Sequence, residues 1–232
     1  TYNPKDTSLK MLSIPRDTLV DIPGREEDKI NHAYAFGGTE MTIDTVEQFL
    51  DVPIDYYAKV DFNSFIEIVD LLDGVTVNVP FNFKQLTVGP DSYYANFTKG
   101  KQHLNGKEAL AFVRMRKEDP EGDIGRTKRQ QEFLKSLIEE SMHFKNFTKL
   151  DNFAEVVAEH VETNVKISEA LSVFINLKDF NRDNIETLSY NTNPQRINGI
   201  SYEIVDKDSL SKVKSALKDH LEITNNNTND SE

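Results

Sequence analysis

Arginine side chains are concentrated in one short segment of an otherwise acidic chain, residues 114–131. Between Arg114 and Arg129 this segment carries six positive side chains, and four of them are arginine. The planar guanidinium group binds phosphate or carboxylate through two parallel hydrogen bonds, so arginine suits recognition of a defined anion. The segment is therefore predicted to bind an anionic group.

The spacing of the arginines selects some of them as candidate ligands. Arg114 and Arg116 share one face if this part of the chain is extended. A helix is predicted over residues 126–144, and Arg126 and Gln130, one turn apart, continue its apolar stripe toward the N-terminal end. At that end, free N–H groups and the helix dipole favour an anion. The stripe consists of Phe133, Leu134, Leu137, Ile138 and Met142.

A surface of mixed charge is the alternative interpretation of the same segment. Four acidic residues lie among the cations, and exposed ion pairs of this kind contribute little to stability. This alternative accounts for Lys117, Glu118 and Lys128, but it accounts poorly for Arg126 on an apolar stripe. Two cations held about 4 Å apart repel by roughly 4 kcal/mol at an effective dielectric constant near 20, so a converging group requires an anion.

A second candidate segment contains Arg16 and Asp17, which follow a strand predicted over residues 9–14. In α/β sheets, ligands bind beyond the C-terminal ends of strands. Arg16 is then a second phosphate ligand, and Asp17 orients it or accepts a proton. The alternative is an Arg–Asp pair that stabilises a turn.

Farther along, Tyr34 and Phe36 are expected in the core, although they could instead line a groove for a sugar or lipid.

The order of elements predicts an α/β layered domain over residues 1–223, followed by a disordered tail over residues 224–232. Residue 63, an Asn, is expected to cap the helix that follows a strand over residues 56–62. Residues 81–98 are expected to form a long loop or an irregular hairpin. Other helices are predicted over residues 40–50, 106–112, 151–161 and 168–177 and from residue 208; other strands over residues 75–79, 185–190 and 200–205.

Composition excludes several classes of function. A formal net charge of −12 argues against non-specific binding of nucleic acid, which depends on neutralising phosphates. The absence of cysteine excludes disulfides and thiolate-ligated metals, and the five histidines show no short ligand spacing. No transmembrane run is present. Because the chain starts with Thr1 in the middle of a strand-like pattern, a preceding part of the protein is expected to be missing.

Several motifs together resemble the LytR-CpsA-Psr family. They are Ser-Ile-Pro-Arg-Asp-Thr at residues 13–18, Lys-Ile-Asn-His-Ala-Tyr at 29–34, Val-Pro-Ile-Asp-Tyr-Tyr at 52–57, Leu-Asp-Gly-Val at 72–75, Leu-Asn-Gly-Lys-Glu-Ala-Leu-Ala-Phe-Val-Arg-Met-Arg at 104–116, and Gly-Asp-Ile-Gly-Arg-Thr-Lys-Arg-Gln-Gln at 122–131. The matches occur in order and cover roughly residues 1–145. No single motif is specific, but the combination is.

The resemblance implies an α-β-α arrangement with a central mixed sheet and a hydrophobic pocket for a polyprenyl chain. It implies a protein with a single membrane anchor whose catalytic domain is on the extracellular face of a Gram-positive bacterium. Such proteins transfer an anionic glycopolymer, such as wall teichoic acid, from an undecaprenyl-pyrophosphate carrier to the 6-hydroxyl group of N-acetylmuramic acid in peptidoglycan.

The resemblance also implies site residues. The pyrophosphate-binding positions of the family correspond to Arg16, Arg114, Arg116 and Arg126, with Gln130 beside them. Arg16 and Arg116 are expected to act in catalysis.

The resemblance also concerns the general base and the metal ion. Asp17 and Asp123 are candidate general bases, although either could only orient an arginine. The family uses Mg²⁺, held partly by two Asp residues on strands that precede residue 1, so the metal ligands of this chain are unassigned.

Three other functions remain open. The same arginines could support hydrolysis of a polyprenyl pyrophosphate by water, or a non-catalytic module that binds polyprenyl phosphate. Transcriptional regulation is a further alternative, but the acidic charge and the lack of a recognition helix argue against it.

Overall fold

The structure, a computed structural model, describes residues 1–143, 161–166, 168–169 and 182–223. Contacts divide the chain into two compact units. The terminal unit comprises Thr1–Asp55 and Ile185–Glu232, and the central unit comprises Tyr56–Asn184. Both contain helices and strands, which confirms the predicted α/β class. The single domain predicted over residues 1–223 stays a prediction.

The elements are numbered in chain order within the described residues. They are β1 (Tyr2–Asn3), β2 (Ser8–Leu12), β3 (Leu19–Asp21), β4 (Glu27–Lys29), α1 (His32–Leu50), β5 (Ala58–Val60), α2 (Phe62–Leu71), β6 (Val75–Val79), β7 (Phe83–Leu86), β8 (Tyr94–Phe97), β9 (Gly100–Leu104), α3 (Gly106–Arg114), α4 (Asp123–His143), β10 (Val161–Thr163), a 3₁₀ turn (Arg182–Asn184), β11 (Ile185–Leu188), β12 (Thr192–Ile197), β13 (Ile200–Val205) and α5 (Lys207–His220).

The terminal unit contains a three-stranded mixed sheet. Strand β2 pairs antiparallel with β1 and parallel with β11. Its described residues also form two hairpins, β3–β4 and β12–β13. Its core joins the end of α1 to α5 through Leu50, Val52, Val213 and Leu217.

Helix α1 bends at two glycines instead of ending there. Gly37 and Gly38 have non-helical backbone angles inside the helix, and Gly38 has a φ of 66°, which glycine adopts at little cost. The helix expected over residues 40–50 is thus part of a longer element that begins at His32. Tyr34 and Phe36 are 47% and 40% exposed, so the expectation that they lie in the core is wrong.

The central unit is built around the strand pairs β6–β9 and β7–β8, with α2, α3 and α4. In β6, the alternating residues Val75, Val77 and Val79 are buried and the residues between them are exposed, as expected for a strand with one buried face. Phe83 and Phe97 stack with their ring centroids 4.4 Å apart. Phe112 of α3 and Phe133 of α4 belong to the same core.

Two boundaries in the central unit differ from the sequence prediction. The N-cap of α2 is Asp61 and not residue 63, because the Asp61 carboxylate accepts a hydrogen bond from the backbone N–H of Ser64 at 2.9 Å. Since α2 begins at Phe62, the preceding strand is limited to β5. Residues 81–98 form the β7–β8 hairpin.

Parts of the prediction concern residues that are not described. The helices expected over residues 151–161 and 168–177 fall almost entirely outside the described residues, and so does the tail expected over residues 224–232.

Candidate functional site

The predicted anion-binding segment links α3 to α4. Helix α3 begins with a reciprocal capping box, in which Asn105 and Glu108 each bond the other's backbone N–H, and it ends at Arg114. Arg114 is therefore helical, and the expectation that it is extended is wrong. The next residue, Met115, is buried and has extended backbone angles, so the chain turns away from the helix before the exposed Arg116.

Arg116 and Arg126 approach the same carboxylate oxygen. The Nη2 atom of Arg126 lies 2.8 Å from Oδ1 of Asp123, and the Nε atom of Arg116 lies 3.5 Å from that oxygen. The side chain of Asp123 is 52% exposed, and that of Arg126 is 26% exposed. Three of the predicted site residues thus form one cluster, with a carboxylate between two guanidinium groups.

Arg126 retains unused capacity for hydrogen bonding. Its Nε atom is buried and has no hydrogen-bond partner among the described atoms. The residue also lies in the first turn of α4, where the helix dipole disfavours a cation and favours an anion. Both features suit Arg126 to an anionic ligand.

Arg114 and Gln130 are held by groups other than Asp123. The Arg114 guanidinium lies over the ring of Phe62, 4.5 Å from its centroid, a distance that suits a cation–π interaction. The side-chain amide of Gln130 donates to the carbonyl oxygen of Val113 at 3.3 Å. Gln130 therefore connects α4 to the end of α3, and its predicted role in binding pyrophosphate stays a prediction.

A buried ion pair next to this cluster was not predicted from the sequence. The side chains of Arg129 and Asp119 are 3% and 2% exposed and bond to each other through Nη1 and Oδ2. Desolvation lowers the pKa of Arg129, although Asp119 opposes the shift. A signal existed, because Arg129 precedes Phe133 by four residues and so lies on the apolar stripe of α4.

The surrounding charges behave as a solvated surface. Lys128 donates to Glu121 at 2.7 Å, and both side chains are more than half exposed. The mixed-charge interpretation is correct for this pair.

Arg16 and Asp17 lie in the terminal unit, after β2. Arg16 is 72% exposed, and its Nε atom lies 3.5 Å from Asp17. Lys29 donates to Asp17 Oδ1 at 2.7 Å, and the backbone N–H of Glu203 donates to the Asp17 carbonyl oxygen at 2.9 Å. Desolvation alone would raise the pKa of Asp17, but the hydrogen bond and charge of Lys29, with the charge of Arg16, outweigh it and lower that pKa.

The described residues do not fit a magnesium site by themselves. They contain no group of three or more His, Asp or Glu side chains arranged to hold a metal ion. The acidic side chains nearest the candidate arginines, Asp17, Asp119 and Asp123, already bond to cations. Magnesium ligands therefore remain unassigned among the described residues.

A cleft of about 550 Å³ lies in the terminal unit, between the end of α1 and α5. Its lining includes Asp51, Lys214, Lys218, Asp219 and Glu222, so it is charged and differs from the expected hydrophobic pocket. The lipid pocket stays a prediction. No helix in the described part of the chain has the length and apolar character needed to span a bilayer.

Comparison with known proteins decides the family. The sequence model of the LytR_cpsA_psr family matches residues 1–219. The chain belongs to the LytR-CpsA-Psr family. The motif resemblance is thereby confirmed, and the match extends beyond the motifs into the C-terminal part of the chain.

Individual members of the LytR-CpsA-Psr family agree with this assignment. The polyisoprenyl-teichoic acid–peptidoglycan teichoic acid transferase TagU of Bacillus subtilis is 44% identical over 223 residues, which are 96% of this chain and 70% of that protein. The crystal structure of B. subtilis TagV matches with a TM-score of 0.87 at 40% identity, covering 96% of this chain and 87% of that one. A structure of TagT bound to LIIa-WTA matches with a TM-score of 0.79 at 30% identity, covering 96% and 83%. The chain is therefore an enzyme, a transferase of the LytR-CpsA-Psr type.

Proposed function

We propose that this transferase moves an anionic glycopolymer, wall teichoic acid or a similar polymer, from an undecaprenyl-pyrophosphate carrier to N-acetylmuramic acid of peptidoglycan. The names of TagU and TagV, which are 44% and 42% identical to this chain, support a polyisoprenyl-linked teichoic acid as donor and peptidoglycan as acceptor. The complex of TagT with LIIa-WTA supports an anionic ligand.

The arrangement of Arg116, Asp123 and Arg126 is the observation that carries the proposal. Two guanidinium groups approach one partly exposed carboxylate, and Arg126 keeps a buried Nε without a partner among the described atoms. A pyrophosphate has enough acceptor oxygens to bridge both arginines. Arg114 is proposed as a further pyrophosphate ligand because it occupies a family motif position, and Arg16, in the terminal unit, stays a prediction from its own motif.

The reaction that follows is a phosphoryl-type transfer. The acceptor hydroxyl oxygen attacks the phosphorus atom next to the glycopolymer and forms a phosphodiester bond. The bond from that phosphorus to the bridging oxygen breaks, and undecaprenyl phosphate leaves with the electron pair. The arginines stabilise the negative charge that develops on the phosphoryl oxygens, which in related reactions is worth about 10³–10⁵ in rate.

The hydroxyl proton is transferred to a base, for which Asp17 and Asp123 are the candidates. The lowered pKa of Asp17 makes it a weak proton acceptor and favours a role in orienting Arg16. Asp123 contacts both Arg116 and Arg126, the proposed phosphate ligands of the central unit. We therefore favour Asp123 as the base.

Two parts of the proposal rest on the family alone. They are a requirement for Mg²⁺ and an anchored position of the enzyme on the outer face of the cell membrane. We expect transfer to be lost in EDTA and recovered on adding Mg²⁺. We also expect a membrane-impermeant reagent to label the protein on intact cells.

The proposal is tested by Arg116→Ala, with Lys117→Ala as the matched control. Both residues are exposed cations in the same loop, but only Arg116 contacts Asp123. In cells that depend on this protein, we expect Arg116→Ala to lower wall-attached glycopolymer at least tenfold, and Lys117→Ala to leave it unchanged. Unchanged attachment in Arg116→Ala would contradict the enzymatic role of the cluster and favour a non-catalytic binding module.

A further inference from the structure

The C-terminal carbonyl groups of α3 are bonded by side chains of α4. The last carbonyl groups of any helix lack partners within that helix. In this helix, Nε of Arg129 donates to the carbonyl oxygen of Phe112 at 3.3 Å, and the Gln130 amide donates to that of Val113. The Nη2 atom of Arg129 also donates to the carbonyl oxygen of Met115. One guanidinium group thus contacts the backbone on both sides of Arg114.

The third nitrogen of the Arg129 guanidinium pairs with Asp119. The other Asp119 oxygen accepts from the backbone N–H of Glu121 at 2.7 Å, and the backbone N–H of Asp119 donates to the carbonyl oxygen of Arg116 at 3.2 Å. The loop that carries Arg116 therefore contains internal hydrogen bonds, and the Arg129–Asp119 pair bonds it to α4.

Close packing at Gly125 strengthens the connection. A Cβ atom at Gly125 would overlap the carboxylate of Asp119, so the first turn of α4 lies directly against this side chain. Arg126 is the next residue on that turn. The buried pair of Arg129 and Asp119 therefore contacts the backbone of the loop that carries Arg116 and of helix α4, which carries Arg126.

The burial of this pair needs an explanation other than stability. Replacing a buried ion pair by apolar residues of similar volume is often neutral or stabilising, because desolvation of both charges offsets their attraction. A well-defined arrangement of nearby groups is one benefit that such a pair can provide. Each donor of Arg129 is directed at the chain around Arg114 and Arg116, which supports that explanation.

We propose that Arg129 and Asp119 are positioning residues, which fix the backbone of Arg114 and Arg116 relative to Arg126 so that these arginines can bind one pyrophosphate group. The inference rests on the proposed function for the identity of the ligand. It assigns no contact between Arg129 and substrate, since the Arg129 side chain is buried and its three nitrogens are bonded within the protein.

The first test measures binding of inorganic pyrophosphate by calorimetry, well below the unfolding temperature. The variants are Arg129→Lys, which keeps the charge but loses the planar fork, and the double variant Arg129→Met with Asp119→Leu, which leaves no unpaired charge. The control is Lys128→Ala with Glu121→Ala, the exposed pair of the same region. Circular dichroism gives the folded fraction of each protein.

We expect both Arg129 variants to bind pyrophosphate at least tenfold more weakly per folded molecule, and the control to remain within twofold of the wild type. A role in stability alone would lower the unfolding temperature without changing the affinity of the folded protein. Affinity within twofold of the wild type in the folded double variant would overturn the proposal.

The second test does not depend on the ligand. Hydrogen exchange of the amides of Met115 and Asp119, which donate to Ala111 and Arg116, reports on the order of the loop. We expect at least tenfold faster exchange at these amides in the double variant and no change in the control; unchanged exchange would overturn the proposal. If the wild type binds no pyrophosphate while these amides respond as expected, the proposed function fails and the positioning role stands.

Discussion

At the scale of single residues, the main result is that the chain supplies its own anion to the arginine cluster. The sequence argument required a compensating anion wherever cations converge, and Asp123 provides one between Arg116 and Arg126. A phosphate ligand must therefore displace this carboxylate or share the arginines with it. The same contacts allow the arginines to be held ready before substrate binds.

Asp123→Asn is expected to strengthen binding of inorganic pyrophosphate while slowing transfer. Removing the charge leaves Arg116 and Arg126 uncompensated, and exposed ion pairs of this kind are worth about 0.2–1 kcal/mol, which is about a 1.4- to 5-fold change in affinity. Calorimetry and the transfer rate check the two effects, with Glu121→Gln as the control. Weaker binding in Asp123→Asn would contradict the account, because it would mean that Asp123 helps to hold the phosphate.

The ionised Asp17 side chain is expected to stabilise the protein near neutral pH and to lose this effect in strong acid. Its pKa is lowered in the folded protein, so its contribution is present above the unfolded value, about 4, and is lost as pH falls through the folded value. The difference in Tm between wild type and Asp17→Asn should be positive and constant from pH 5 to 7 and should shrink below pH 4. Asp21→Asn, at the exposed end of β3, is the control. A difference that persists unchanged to pH 2 would contradict the role of Lys29 and Arg16.

At the scale of elements, the junction of α3 and α4 determines where the arginines lie. The end of α3 is bonded by Arg129 and Gln130, and the start of α4 packs on Asp119 through Gly125. Small changes in this packing should affect both helices at once.

Gly125→Ala is expected to destabilise the protein by about 1–3 kcal/mol, the usual range for overpacking a filled site. The added methyl group overlaps the Asp119 carboxylate and so disturbs its pair with Arg129. Gly122→Asn is the control, since Gly122 has open space and a φ of 58° that asparagine tolerates. Chemical denaturation measures the free energy of unfolding of both variants. Equal stability of Gly125→Ala and the wild type would show that the contact between Gly125 and Asp119 is not tight.

Elements with a strong apolar period could be predicted from the sequence. Strand β6 followed from its alternating valines and helix α4 from the spacing of its large apolar residues, and the α4 stripe also identified Arg126. Strands β9 and β12 were missed because their residues are largely polar, and they are defined by pairing with β6 and β13. Pairing with a partner strand overrides local propensity, so the residues of a polar strand do not reveal it by themselves.

The same distinction applies to the site. The types and spacing of Arg116 and Arg126 indicated an anion site, the family resemblance added Asp123, and the structure brings these three together. The pairing of Arg129 with Asp119 depends on a loop that folds back on α4, so sequence periodicity could place Arg129 on the buried face but could not identify its partner.

At the scale of the whole molecule, charge distinguishes the proposed function from its alternatives. With a formal net charge of −12, the protein repels polyanions except where arginines are concentrated, which disfavours non-specific nucleic-acid binding and suits recognition of a local pyrophosphate group. The family assignment covers residues 1–219 and is consistent with one enzymatic role for this part of the chain.

The central claim, that a sugar hydroxyl and not water is the acceptor, is tested by following one labelled donor. The purified protein is incubated with a polyprenyl-pyrophosphate-linked glycan, with and without peptidoglycan oligomers, and the products are separated by mass. The account predicts a phosphodiester-linked glycan–peptidoglycan product and released polyprenyl phosphate only when oligomers are present. Free glycan phosphate as the sole glycan product in both reactions, with polyprenyl phosphate released in both, would contradict it and identify the protein as a pyrophosphatase.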